Sequence, residues 1–425
     1  MSGTSGLRLW LVEGRRAVVS GAASIRRRYR ARPLRTTAQL SLLLVVVLYP
    51  VLYTRALVPF NNSFLPFPLP LPDLTAATFM IIFAILSLGL NMVVGLAGLL
   101  DLGYVAFYAI GAYVAAFLAS PHWGGLSIVL FSSARNGSDG IHISFFILIW
   151  VAALVTAVAG ATLGAPTLRL RGDYLAIVTL AFGEIVPVVF RNLNQVTFIF
   201  GPIQIINVNV TGGVMGINPI DPPVLFGIKF GSVSGGNGYW LGLVITVLVI
   251  VFSRNLTRSR LGRAWMAIRE DERAARMMGI NTVRTKLLAF AMGAAIGGVA
   301  GVFQASYLGA TSSDFFQYST SILVLCMVIL GGMGNAAGVL VGGALLQWVN
   351  LTLLGWVGDR VNSIGQATGI QALADLVLSR YNFLIFGLLL VIMMNVRPGG
   401  LMPNRQREAE LRQEEPTSSP TGTGS

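Results

Sequence analysis

The sequence predicts an all-α polytopic membrane protein of about ten transmembrane helices, some of them broken or re-entrant. Three observations carry this reading. Of 425 residues, 54% are hydrophobic and only 11% charged, where a soluble domain carries about 25% charged residues. The apolar residues gather in runs such as Gln39–Val58 and Thr75–Leu100, long enough for a helix to cross a bilayer. The net charge of +13 is concentrated in two clusters, +8 within residues 1–38 and +6 within 254–286. Such clusters suit cytoplasmic faces beside anionic lipid. Soluble enzymes and disordered proteins are thereby excluded. Nucleic acid is excluded as a partner too, because no aromatic-interleaved basic stripe is present.

Taken in order, the apolar runs place spans at about 39–58, 75–99, 101–119, 143–165, 174–191, 239–253, 286–308, 318–333, 335–355 and 380–396. Residues 1–38 form an Arg-rich cytoplasmic extension. Residues 39–403 form the transmembrane domain, with 254–285 as a cytoplasmic loop, and 404–425 form a polar cytoplasmic tail. With an even span count and both termini inside, every Arg-rich connection falls on one side. The opposite loops (59–74, 120–142, 192–238, 309–317 and 356–379) hold only Arg135, Lys229 and Arg360, as the positive-inside rule requires. The basic head has no small-residue cleavage site after it, so it reads as an extension and not as a cleavable signal.

Glycine breaks shape several spans. The stretch 75–119 is interrupted near Gly98, Asp101 and Gly103, and 318–355 is interrupted at Gly331, Gly332 and Gly334. Interrupted helices at membrane depth suit a transporter. The 192–238 loop is rich in Gly, Pro and Asn and too long for a plain connector, so it is expected to pack over the outer mouth or meet a partner. Gly293, Gly297 and Gly301 form one four-residue row, and Gly334, Gly338 and Gly342 another. Both are read as close helix-packing faces.

No catalytic constellation is visible. A GxxxxGK[ST] phosphate loop is absent, and the only lysines are Lys229 and Lys286, so the chain cannot hydrolyse ATP itself. Cys326 is the single cysteine, which rules out an intrachain disulfide. His122 and His142 lie in one polar stretch without a third ligand, so no metal site is expected and both read as exposed loop residues.

Polar residues inside the spans are the candidates for a substrate path. Glu184 falls about ten residues into the fifth span, with Pro187 one turn on. It is read either as a path or gate residue or as a buried acid bonded to a neighbouring helix through Thr179 or an Asn. Asn91 and Asp101 flank the first glycine break. Asp101 either caps the next helix or lies near the path. Gln304 in the seventh span joins them as a path candidate, with helix–helix bonding as its plainer reading.

The most distinctive segment is Leu261–Asn281. Ala264–Met278 lacks Gly and Pro, so one short amphipathic helix is expected, with Trp265, Ile268 and Ala275 on one flank and Arg269, Glu270 and Arg273 in water. Its Ala274-Ala275-x3-Gly279 resembles the core of the loop by which ABC importer permeases dock on their ATPase subunits. Glu272 stands one residue earlier than that pattern places its acid, and Arg273 takes the acid's place. The run Arg169-Leu-Arg-Gly-Asp-Tyr-Leu-Ala-Ile-Val-Thr-Leu-Ala-Phe-Gly-Glu-Ile185 resembles a signature of LivM-type permeases of branched-chain amino-acid importers. Gly95–Gly111, Gly262–Gly279, Ile329–Gly343 and Tyr381–Pro403 are similar to that family as well, so the likeness spans roughly 75–403.

What the resemblance implies is a multi-pass permease of the bacterial inner membrane. A second homologous permease would share the path, two ABC ATPase subunits would drive it, and a periplasmic solute-binding protein would feed it. Trp265, Ile268, Ala274, Ala275 and Gly279 would then be the ATPase-coupling residues. No cofactor would sit in this chain, since ATP is used by the partner subunits. Sister families import urea or short amides. From a different class, a self-contained ion-coupled secondary transporter also accounts for ten spans and an intramembrane acid, but it has no use for a docking helix.

Overall fold

The computed structural model describes residues 44–402, except 64–68, 124–126, 131–139, 168–172, 195, 201–202, 226, 233–235, 372–374, 376 and 398. The Arg-rich head at 1–38 and the tail at 404–425 lie outside the described residues. Among the described residues, six helices are long and apolar enough to cross a bilayer and four shorter apolar helices accompany them, in the order the apolar runs predict. The chain is a multi-pass membrane protein.

The first unit contains helix α1 (Leu44–Phe60). Everything from Pro70 onward forms the second unit. There, α2 (Leu74–Leu90) starts on Asp73, whose carboxylate accepts the Ala76 N–H at 2.8 Å, a direct N-cap. It runs into a π-helical turn, Asn91–Leu96. After a short connection follow α3 (Val105–Leu118), α4 (Phe145–Thr167) and α5 (Asp173–Asn192). Next come α6 (Asn237–Arg258), two short helices α7 (Arg260–Glu270) and α8 (Glu272–Met277), and α9 (Thr282–Leu308). The last group is α10 (Tyr318–Gly331), α11 (Ala336–Trp348), α12 (Leu354–Thr368) and α13 (Asn382–Val396).

Helix α9 is the central post, with α2, α3 and α4 packed along it. The glycine row explains how backbones come so close. A Cβ on Gly293 would meet Val93, one on Gly297 would meet Tyr104 and Phe107, and one on Gly301 would strike the Tyr108 carbonyl and the Ala112 amide. The Tyr104 hydroxyl donates to the Gly293 carbonyl at 2.9 Å across the same contact. Small residues serve here because lipid supplies no hydrophobic drive for helix association, leaving van der Waals contact to hold the pair. In the second row, Gly338 and Gly342 pack α11 against Gly331 and Met327 of α10. Gly334 differs from the expectation. It lies in the α10–α11 turn at φ 85° and is not part of a helix row.

The breaks at 97–104 and 332–335 separate whole helices, in keeping with the separate spans expected on either side of each. One span expectation is corrected: the ninth span does not stop at 355. A π-helical turn at Val349–Leu353 carries α11 into α12 without a break, and the helix ends at Gly369. Gly355 stands there without a following Pro and stays helical, and Arg360 stacks on the Trp356 ring one turn away, 5.4 Å from its centroid.

At the end of the bundle opposite α7 and α8, the long connections form short strands. β1 (Ala119–Ser120), β3 (Gly140–Ile143) and β2 (Ser127–Leu130) make a small mixed sheet in that spatial order. β4 (Val196–Phe200) and β5 (Ile203–Val208) form a hairpin, as do β6 (Val224–Leu225) and β7 (Ile228–Lys229). The 192–238 loop does close over this end. Ile217 bridges Thr311, and the Ile220, Asp221 and Ser232 amides donate to the Gly309, Ala119 and Tyr307 carbonyls. His142 is not an exposed loop residue. It is fully buried, with Nδ1 at 2.6 Å from the Asp221 carboxylate. Burial of an imidazole is tolerated when such a partner satisfies it.

Candidate functional site

The loop between α6 and α9 folds into the two short helices, not the single helix expected over Ala264–Met278. The Ser259 hydroxyl accepts the Gly262 N–H at 3.3 Å and caps α7. At Asp271 the backbone turns extended, and its carboxylate accepts the Arg273 and Ala274 N–H groups at 2.7 and 3.1 Å, capping α8. The break therefore comes from a capping side chain and needs no Gly or Pro. Those bonds from Ala274 and Arg273 hold the Asp271 carboxyl below its ordinary value. Glu272 is likewise lowered, first by its hydrogen bond from Lys286 at 2.7 Å. Gly279, at φ 84°, turns the chain out of α8, where an L side chain is strained. Asn281 then caps α9 by accepting the Arg284 N–H at 3.1 Å.

The apolar flank of this loop faces into the chain itself. Trp265 is fully buried, and its Nε1–H donates to the Thr285 carbonyl of α9 at 2.7 Å. Ile268 and Ala275 are buried with it, whereas Ala274 and Gly279 are exposed. A Cβ on Gly279 would meet nothing within 4 Å. Met277 and Met278 are 88% and 84% exposed. Met277 lines an open surface hollow with Glu270, Asp271, Glu272, Arg273 and Arg276, and Met278 follows it in the chain. Polarisable, flexible side chains suit a surface that takes up a partner.

Arg269 was expected in water. It is half-buried, and Nη1 donates to the Gly95 carbonyl in the π-helical turn at the end of α2, at 2.6 Å. In the same turn, the Asn91 side-chain Oδ1 accepts the Gly334 N–H at 2.8 Å. Asn91 thus joins the turn after α2 to the turn between α10 and α11. Asp101 is buried in the connection to α3, with one oxygen accepting the Gly103 N–H at 3.0 Å and the other without a hydrogen-bond partner. It shapes that turn and does not cap α3, whose first residue is Val105.

Gln304 is buried in α9 with its amide oxygen lacking a hydrogen-bond partner. Glu184 is not buried among the helices of this chain. It stands exposed on α5, near Tyr318 of α10. The Thr179 hydroxyl, one expected partner, instead accepts the Leu102 N–H and donates to the Ala176 carbonyl. Of the four path candidates, Asp101 lines a small cavity with Phe107, Thr167, Thr179, Phe182 and Phe290. Among the described residues no three His, Cys, Asp or Glu side chains group as a metal site would require.

The family described as "Branched-chain amino acid transport system / permease component" matches residues 74–394. The chain belongs to this permease family. It is 36% identical over 368 residues to the LivM permease protein of the high-affinity branched-chain amino acid transport system of Salmonella typhimurium, covering 82% of this chain and 74% of that protein. The Escherichia coli LivM protein matches to the same extent. A probable LivM permease of Methanocaldococcus jannaschii is 28% identical over 76% of this chain and 91% of its own length. A shorter stretch of 108 residues, 25% of this chain, is 33% identical to the E. coli LivH permease protein. No solved structure matches the chain.

As a member of this family the chain is a transport permease and not an enzyme. Within the permease, the residues that sequence reasoning missed are Arg269, Gly95, Met277 and Met278. Arg269 carried a usable signal, because it lies four residues after Trp265 and so shares its helix flank. The methionine pair carried only its composition.

Proposed function

We propose that this chain is one of two homologous permeases forming the path of a bacterial inner-membrane ABC importer for branched-chain amino acids. Two separate ATPase subunits drive it, and a periplasmic binding protein delivers the solute. The observation that carries the reading is the α7–α8 loop. It is seated on α9 by Trp265 and presents Met277 and Met278 outward, in a chain without a phosphate loop of its own. Membership of the permease family supports it, and the names of the relatives point to the solute class. The loop lies on the cytoplasmic side, as do both termini, by the charge asymmetry of the connections.

The deciding experiment reconstitutes the chain with the second permease, the ATPases and the binding protein in vesicles. ATP-dependent accumulation of leucine is expected, and neither urea nor acetamide should compete. Uptake by this chain alone under an ion gradient would replace the reading with a self-contained transporter, and competition by urea or acetamide would move the solute class.

Orientation is checked by thiol labelling in a Cys326→Ala background. A cysteine at Met215, 95% exposed in the 192–238 loop, is expected to react with an impermeant reagent from the periplasm. One at Met277 is expected to stay unlabelled until the membrane is opened. The reverse pattern would invert the topology.

We propose Glu184 as a residue of the path, a reading supported by its exposure on α5, a helix long and apolar enough to span the bilayer. An acid in a span is costly unless water or a partner meets it. Glu184→Gln is expected to lower uptake by about tenfold while the complex assembles normally. Unchanged uptake would remove it from the path.

A further inference from the structure

We infer that Arg269 is the positioning residue through which movement of the α7–α8 loop enters the membrane helices, acting on the Gly95 carbonyl and, one turn away, on the Asn91–Gly334 hydrogen bond. The inference rests on the ABC-permease reading given above and names the residue by which its energy is transmitted.

Three features place the linkage here. First, the contact is made at the end of α2, a helix enclosed by α6, α9, α10 and α11 and buried almost all round. A displacement at its end is therefore passed to helices on every side, because packed interiors yield little. Second, the contact lands in the π-helical turn Asn91–Leu96. A π turn holds an extra residue per turn, and single π turns recur at functional sites in helices. The guanidinium sits against a carbonyl at the C-terminal end of α2, where the helix dipole favours a cation. The stem of Arg269 also runs over Gly98, where a Cβ would meet its Cγ at 2.7 Å.

Third, the same turn is tied onward. The Asn91 oxygen that accepts the Gly334 N–H lies against Gly95, and a Cβ on Gly95 would meet both that oxygen and the Gly334 amide. The α10–α11 turn is in its own right fastened to the chain after α13. The Leu401 and Met402 backbone amides donate to the Leu330 and Gly331 carbonyls, and the Asn335 side-chain Nδ2 donates to the Met402 carbonyl. A single run, Asn91 to Gly95, thus stands between the loop and a second helix pair. The loop itself does not depend on Arg269 to stay folded, since Trp265 is buried and bonded to α9 and Ile268 is buried as well.

The test compares wild type, Arg269→Ala and Arg269→Lys in the complete complex, reading three quantities. These are recovery of the ATPase subunits, stimulation of ATP hydrolysis by leucine-loaded binding protein, and leucine uptake. Expected for Arg269→Ala is full ATPase recovery with stimulation and uptake reduced by about tenfold. Arg269→Lys is expected to recover part of the stimulation, because an ammonium keeps the charge but lacks the guanidinium's fork of donors. Stimulation and uptake equal to wild type in Arg269→Ala would overturn the inference. Loss of the ATPase subunits from both variants would overturn it as well, making Arg269 a docking residue, and failure of both to reach the membrane would make it merely structural. Failure of the ATPases to bind the wild-type chain would instead strike the underlying reading.

Discussion

Replacing Met277 and Met278 together by Asp is expected to strip the ATPase subunits from the permease while the permease itself stays folded in the membrane. Both side chains are free of the fold, at 88% and 84% exposure, so nothing internal is lost. In the complex each would bury its thioether, worth about 1.5–3 kcal/mol of apolar transfer. A carboxylate in the same place would be desolvated without a matched partner. A combined loss of about 3 kcal/mol or more lowers affinity on the order of a hundredfold. Co-purification of the ATPases, set against membrane abundance of the permease, measures it. Undiminished recovery of the ATPases would mean that the methionine pair is not the docking surface.

Trp265→Ala has a comparably large expected effect of the opposite kind. The indole is fully buried between α7 and α9 and donates to Thr285. Truncation to Ala leaves a cavity and removes that bond, a loss of about 3–5 kcal/mol for a buried Trp. The loop would come off α9, and the detergent-solubilised protein should melt earlier and accumulate less. Trp265→Phe keeps most of the volume and loses the hydrogen bond alone, about 1 kcal/mol, so it should fall near wild type. Equal thermal stability of the Ala variant and wild type would show that the loop is held by other contacts. The two substitutions are expected to separate docking from anchoring on one loop, with Met277 and Met278 acting on the proposed partner and Trp265 on the fold.

The two kinds of residue were not separable by spacing. Trp265, Ile268, Ala274, Ala275 and Gly279 were grouped by amphipathic pattern and by likeness to a docking motif. A hydrophobic flank states that a surface will be covered, not whether the cover comes from the same chain. Trp265, Ile268 and Ala275 are covered within this chain, and Ala274 and Gly279 are not. Asp271 shows a similar limit. Its capping bonds split one expected helix in two, although Ala264–Met278 contains neither Gly nor Pro to announce a break.

The sequence by itself determined the class of the protein, the order of its apolar helices and the close-packing face of α9. These follow from local quantities: runs of apolar residues long enough for a bilayer, charge counted loop by loop, and glycine repeated at helical spacing. Only the tertiary structure decided which polar groups meet. His142 is buried because Asp221, 79 residues away, comes to it. Asn91 bonds Gly334, 243 residues on, and Arg269 reaches back 174 residues to Gly95. Each is one bond between two single residues, with no period along the chain to reveal it. Glu184 is exposed on α5 for the converse reason: the described helices leave its side chain uncovered, and incomplete cover leaves no mark in the order of residues.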